Sequence, residues 1–183
     1  LIMAFWVLLG TLFLAYMRLR QRGIRGMGQA FMGMILAHCG VAVTVIGVAV
    51  SSGYGVGDDV SMSPGKSVTL AGYQITFVSE EPLHGPNYHG TQAHMTVRHG
   101  NQIKSVYPEK RLYDVAQMAM TDSAIDVTPF RDIYVALGEP LGQSAWSVRL
   151  YFKPFVRWIW AGGFLILFGG LLALTDRRYA RSN

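Results

Sequence analysis

One histidine lies where a histidine is costly. His38 sits within Ala30–Val50, 21 residues whose clearly polar side chains are His38 and Thr44. An ionisable group inside such a run points by default toward a partner or a cavity. Met34, Ile35, Val41, Ala42 and Val45 share its helical face and would line an apolar pocket. Beside them, Gly33, Ala37, Gly40, Thr44 and Gly47 permit close approach of another helix or a flat ligand. Neutral imidazole is a common axial ligand for haem iron, and an apolar slot suits a porphyrin. On the residues alone three roles stay open: a buried histidine bonded to a neighbouring helix, a cofactor ligand, or a proton relay.

Other chemistry-bearing residues are weaker candidates. His84, His89, His94 and His99 recur every five residues, a spacing that matches no usual metal motif. Positions five apart on a strand face opposite sides, so solvated or strand-face roles fit them better. Cys39 is the sole cysteine, which excludes a disulfide scaffold and reads as a small apolar filler. Arg157 precedes Trp158 and Trp160 at the start of a third apolar run. It reads as a snorkelling anchor or, more sharply, as a clamp for an anionic group such as a propionate. Asp122, Asp126, Asp132 and Glu139 form no evident acid/base pair and read as solvated or structural. Gly162, Gly163, Gly169 and Gly170 indicate close helix packing.

The elements that position these residues follow from uneven charge. Residues 1–17, 26–57 and 158–174 carry none. This excludes intrinsic disorder and an ordinary single-core soluble globule. Residues 1–17, 30–50 and 155–174 are each read as a membrane-spanning helix, the first truncated at the start of the sequence. The chain is therefore expected to be a piece of a longer polypeptide. Only the second span holds a histidine, so a second axial ligand would come from the rest of that polypeptide. Arg18, Arg20, Arg22 and Arg25 fill a basic loop at 18–29, and Arg177, Arg178 and Arg181 a basic tail at 175–183. Residues 51–154 hold eight cations against ten acids. Cations flank spans on the cytoplasmic side, which places 51–154 outside, in the periplasm of a bacterium. The surplus arginines belong to the bilayer and not to nucleic acid.

The outside segment reads as β-rich, an antiparallel sheet or small barrel. Lys66–Ala71, Tyr73–Ser79, His94–His99, Gln102–Tyr107, Asp132–Leu137 and Trp146–Phe152 are rich in β-branched and aromatic residues, with turn signals between them. Asp126–Val127 leads into the fifth of these. His99-Gly-Asn-Gln102 suits a hairpin. Val115–Met120 fits a strand or a helical turn equally well.

The segment Gly33-Met-Ile-Leu-Ala-His38-Cys-Gly-Val-Ala-Val43 resembles a histidine-bearing helix of the CcmF family, the membrane haem lyase subunit of bacterial cytochrome c maturation. Gly85-Pro-Asn-Tyr88, Val106-Tyr-Pro-Glu-Lys-Arg111 and Asp132-Ile-Tyr-Val-Ala-Leu-Gly-Glu-Pro140 look like the same family, as does Tyr151-Phe-Lys-Pro-Phe-Val-Arg-Trp-Ile-Trp160 running on to Thr175-Asp-Arg-Arg-Tyr179. The matches fall in one order over almost the whole chain.

The resemblance implies a carboxy-terminal portion of a polytopic inner-membrane protein. That family takes haem from a periplasmic haem chaperone and joins its vinyl groups to the CxxCH thiols of apocytochrome c, which partner subunits present. It also holds a haem b between membrane helices, and the histidine at the position of His38 is one of its iron ligands. The tryptophan-rich segment that receives haem and the other haem b ligand belong to earlier parts of the family's sequence, so this piece alone is expected to be inactive. No catalytic residue is assigned within it. Two rivals of other classes are a transporter fragment with His38 as proton relay and a structural anchor displaying a periplasmic interaction domain.

Overall fold

A computed structural model describes residues 1–23, 27–142 and 144–176. Arg25 and the tail arginines Arg177, Arg178 and Arg181 lie outside the described residues. The chain divides into two compact units, one of residues 1–53 and 155–183, the other of residues 54–154.

The first unit holds α1 (Ile2–Arg22), α2 (Gln29–Tyr54) and α3 (Val156–Leu174), each long and apolar enough to cross a membrane. At 1.5 Å per residue they extend about 31, 39 and 28 Å. Apolar side chains cover most of their outer surface, as expected where the solvent is lipid. Packing between α2 and α3 uses backbone instead of bulk. A methyl group added at Gly33 would stand 2.7 Å from the Ala173 nitrogen, and one at Gly47 2.9 Å from the Ile159 nitrogen. One at Gly169 would stand 2.6 Å from the Ala37 nitrogen, and one at Gly162 would strike the Thr44 hydroxyl. Helices without side chains at the seam approach closely, which in lipid is the main source of cohesion. The small residues beside His38 thus serve α3 and form no slot for a flat ligand. Gly163 and Gly170, by contrast, face open space.

Asp176, just past α3, closes the same seam. Its Oδ2 accepts the backbone N–H of Ala30 at 2.9 Å, one of the orphan donors in the first turn of α2. A carboxylate there also meets the positive end of the helix dipole. On the other side, the Arg18 guanidinium of α1 lies 4.3 Å above the Phe31 ring of α2.

The second unit is a two-sheet β-sandwich. One sheet orders β1 (Val56–Met62), β10 (Ala145–Pro154), β9 (Arg131–Gly142) and β8 (Ala124–Val127). The other orders β2 (Ser67–Leu70), β3 (Tyr73–His84), β4 (Tyr88–His99), β6 (Glu109–Tyr113) and β7 (Met118–Asp122), with β5 (Gln102–Val106) also paired to β4. Every pairing is antiparallel. Alternate residues supply the core: Ile75, Phe77, Met95 and Val97 from one sheet, Val135, Leu137, Val148 and Leu150 from the other. Each such side chain contributes about 1.5–3 kcal/mol relative to exposure. The His99–Gln102 hairpin forms as expected. Val115–Met120 resolves into a turn leading into β7. An extra residue at Val78 breaks the alternation of β3, so Phe77 pairs with Met95 but Ser79 pairs with His94. Beyond it Glu80 comes to the inner face, where its carboxylate accepts the Trp146 indole N–H.

Candidate functional site

His38 lies nine residues along α2, and its ring leans back one turn. Its Nδ1 is 2.8 Å from the carbonyl oxygen of Met34. A carbonyl only accepts, so Nδ1 carries the proton and Nε2 keeps its lone pair. Such a tie between Nδ1–H and a backbone carbonyl is how proteins orient metal-binding histidines. The donor set therefore fits haem iron.

Helical geometry places this ring away from α3. At 100° per residue, His38 is about 140° around α2 from the centre of the stripe formed by Gly33, Ala37, Gly40, Thr44 and Gly47. His38, Val41 and Val45 are exposed on the described helices, Met34 and Ile35 are half-buried, and Ala42 is buried. An oriented imidazole thus stands on an apolar, uncovered helix face. Cys39, its neighbour, is half-buried.

A cavity of about 1070 Å³ opens where α2 begins. Arg18, Phe31, Met34, Gly170, Ala173 and Asp176 are among its lining residues. Met34 therefore both accepts the His38 proton and forms cavity wall. Arg18 and Asp176 gave no individual signal in the sequence, where one counts as a topology cation and the other as an acid in a basic tail. Their contacts with Phe31 and Ala30 distinguish them.

Arg157 is the second residue of α3 and makes contacts of its own. Gly47 packs on Trp158 and Ile159, so Arg157 stands beyond the level of Gly47. That is at least about 13 Å along the axis from His38.

The four histidines of the sandwich do not gather at one point. His84 and His89 sit opposite each other at the β3–β4 tip, and His89 Nδ1 is 2.8 Å from Asp114 Oδ1. His94 stacks on Tyr107 at 4.9 Å, and His99 on Tyr73 at 4.5 Å. Among the acids, Glu139 pairs with Lys110 and Asp122 with Arg111 at the surface. Asp126 and Asp132 are buried. Asp126 holds Lys104 Nζ at 2.7 Å and also pairs with Arg131, bridging the two sheets. Burial opposes its ionisation, but hydrogen bonds and charge from Lys104 and Arg131 outweigh it. The carboxyl lies below its usual range.

Comparison with known proteins agrees with this architecture. Residues 53–154 match the family model described as the CcmF C-terminal beta-sandwich. The chain is 45% identical over 183 residues to the cytochrome c-type biogenesis protein CcmF of Pseudomonas fluorescens, covering 97% of this chain and 28% of that protein. It is 48% identical over 153 residues to the protein of the same name from Escherichia coli strain K12, covering 83% and 24%. A solved structure of a cytochrome c heme lyase CcmF superposes with a TM-score of 0.78 at 18% identity, covering 94% of this chain and 29% of that one. The chain thus spans about a quarter of the length of the relatives it matches.

Proposed function

The chain belongs to the CcmF family, and from that premise we propose that it is the carboxy-terminal part of a haem lyase of cytochrome c maturation. The complete protein would join haem to the CxxCH thiols of apocytochrome c in a bacterial inner membrane. In this reading the arginine-rich ends of α1 and α3 face the cytoplasm and the sandwich faces the periplasm. A haem chaperone delivers haem, and partner subunits present the apocytochrome. The sandwich is a scaffold beside that meeting point and supplies no reacting group.

The share of this chain in the chemistry is one axial ligand of a haem b, His38. The observation that carries this is the bond from Nδ1 to the Met34 carbonyl, which leaves Nε2 as an iron donor on an exposed apolar face. A bound haem b would supply one-electron chemistry within the membrane. The chain itself fixes the imidazole tautomer and, through α3, the orientation of α2. The second ligand lies in the preceding part of the polypeptide.

Absorbance spectra of the full-length protein test the reading. His38→Ala is expected to abolish or strongly alter the bis-histidine haem b spectrum. An unchanged spectrum at equal protein would overturn it.

A further inference from the structure

The four-stranded sheet of the sandwich carries a groove on its outer face. The groove forms because the chain changes sheets at Ser123: β7 pairs with β6 in one sheet, β8 with β9 in the other. The β8–β9 ladder ends where Ala124 stands opposite Val135. From Ala136 onward no strand among the described residues pairs with that edge of β9. Thr121 Oγ1 donates to the Leu137 carbonyl there at 3.0 Å, and a cavity of about 500 Å³ opens beside it. Val135, Leu137, Val148 and Leu150 fill the core. Alternation therefore turns Ala136, Ser147, Arg149 and Tyr151 outward, where they line the cavity.

We propose that this groove binds an extended acidic segment of a partner polypeptide, anchored by a carboxylate on Arg149. Shape fits an extended chain. The wall from Ser147 to Tyr151 runs four residues along β10, about 13 Å, the span of as many residues of a bound strand. The floor is low, because Ala136, directly opposite Arg149, carries only a methyl group and Gly138 carries none. Charge selects an acid. Glu139, the acid of the lining, is held by Lys110 Nζ at 2.7 Å, which leaves the Arg149 cation to be matched. Among the described residues Arg149 meets a single acid, Asp59, through Nε at 3.5 Å. That distance lies beyond hydrogen-bond range, and with both side chains 61% exposed the pair holds little. The planar guanidinium can then take a carboxylate through two parallel N–H groups. The inference does not depend on the role of His38.

Fluorescence anisotropy with the full-length protein in detergent tests this, using fluorescein-labelled peptides Thr-Val-Glu-Val-Thr and Thr-Val-Lys-Val-Thr. Wild type should bind the acidic peptide at least tenfold more tightly than the basic one. Arg149→Glu should reverse that order, a swap that misfolding cannot produce, and Arg149→Gln should abolish the preference. Ala136→Phe raises the floor and should weaken the acidic peptide at least tenfold. Arg98→Gln, which removes an exposed cation from the other sheet, should bind as wild type does. The inference is overturned if wild type binds neither peptide or both equally, or if Arg149→Glu and Ala136→Phe bind as wild type does. It is overturned equally if Arg98→Gln weakens binding as much as Arg149→Gln, since the attraction is then general charge. If succinate binds as tightly as the acidic peptide, the groove is a small-anion site and the inference falls.

Discussion

Gly40 and Gly162 face each other across the seam between α2 and α3, so close that a methyl group on Gly40 would stand 2.7 Å from the Gly162 carbonyl oxygen. Backbone cannot retreat as a flexible side chain can, so the helices must part or turn. Gly40→Ala and Gly162→Ala should each destabilise the helical unit by about 1–3 kcal/mol, the usual cost of overpacking. Gly163→Ala and Gly170→Ala, facing open space, should be neutral. Thermal unfolding of the full-length protein in detergent checks this. Equal melting temperatures for all four variants would show that α3 does not hold α2.

The pairs Gly162-Gly163 and Gly169-Gly170 also mark where reading the sequence stops. Composition identifies four helix-packing glycines, but only the azimuth of α3 selects the first of each pair. Spans and sheet class are legible because lipid and the β pleat impose long, regular patterns. β1 and β6 escape notice, since Asp58 and Asp59 occupy one and Glu109, Lys110 and Arg111 the other. His38 is conspicuous because an imidazole among apolar residues needs a reason. Arg18 and Asp176 acquire meaning from contacts with residues 13 and 146 positions away, Phe31 and Ala30 among them.

Asp176→Ala should loosen the start of α2. Losing a carboxylate cap at a helix N-terminus costs about 1 kcal/mol, with up to as much again from the dipole at a buried site. Hydrogen-exchange mass spectrometry of the intact protein should show faster exchange over 29–34 and unchanged exchange over 45–54. Uniform behaviour of the two segments would dissociate Asp176 from α2.

The carboxylate of Asp126 joins the sheets through Lys104 and also holds Arg131 of its own sheet. Its folded pKa is lowered, so its contribution is fully present above the unfolded value of about 3.9 and is lost as pH falls through the folded value. Protection of β5 and β8 against hydrogen exchange should therefore hold at pH 5–7 and decline only below about pH 4. Asp126→Asn should cost about 3 kcal/mol at neutral pH, because it strands Arg131 without its counter-charge. It should also remove the acid-dependent part of the loss. An acid response identical in Asp126→Asn and wild type would assign that response to other carboxyls.

The Trp146 indole N–H depends on Glu80 as its acceptor. The extra residue Val78 lies between Phe77, opposite Met95, and Ser79, opposite His94, so Glu80 stands opposite buried Ala93 on the core side. Deleting Val78 leaves Phe77, Ser79 and Glu80 in simple alternation against the same partners, so Glu80 should stay inward and β10 should stay protected. Val78→Thr changes only an exposed side chain and should also be neutral. Glu80→Ala removes the acceptor, and a buried N–H without a partner costs about 1–3 kcal/mol. Hydrogen exchange over β10 and the distal half of β3 should therefore rise in Glu80→Ala while α2 and α3 stay protected. Unchanged protection in Glu80→Ala would mean that Trp146 does not depend on this carboxylate, and lost protection on deleting Val78 would mean that the bulge itself sets the register.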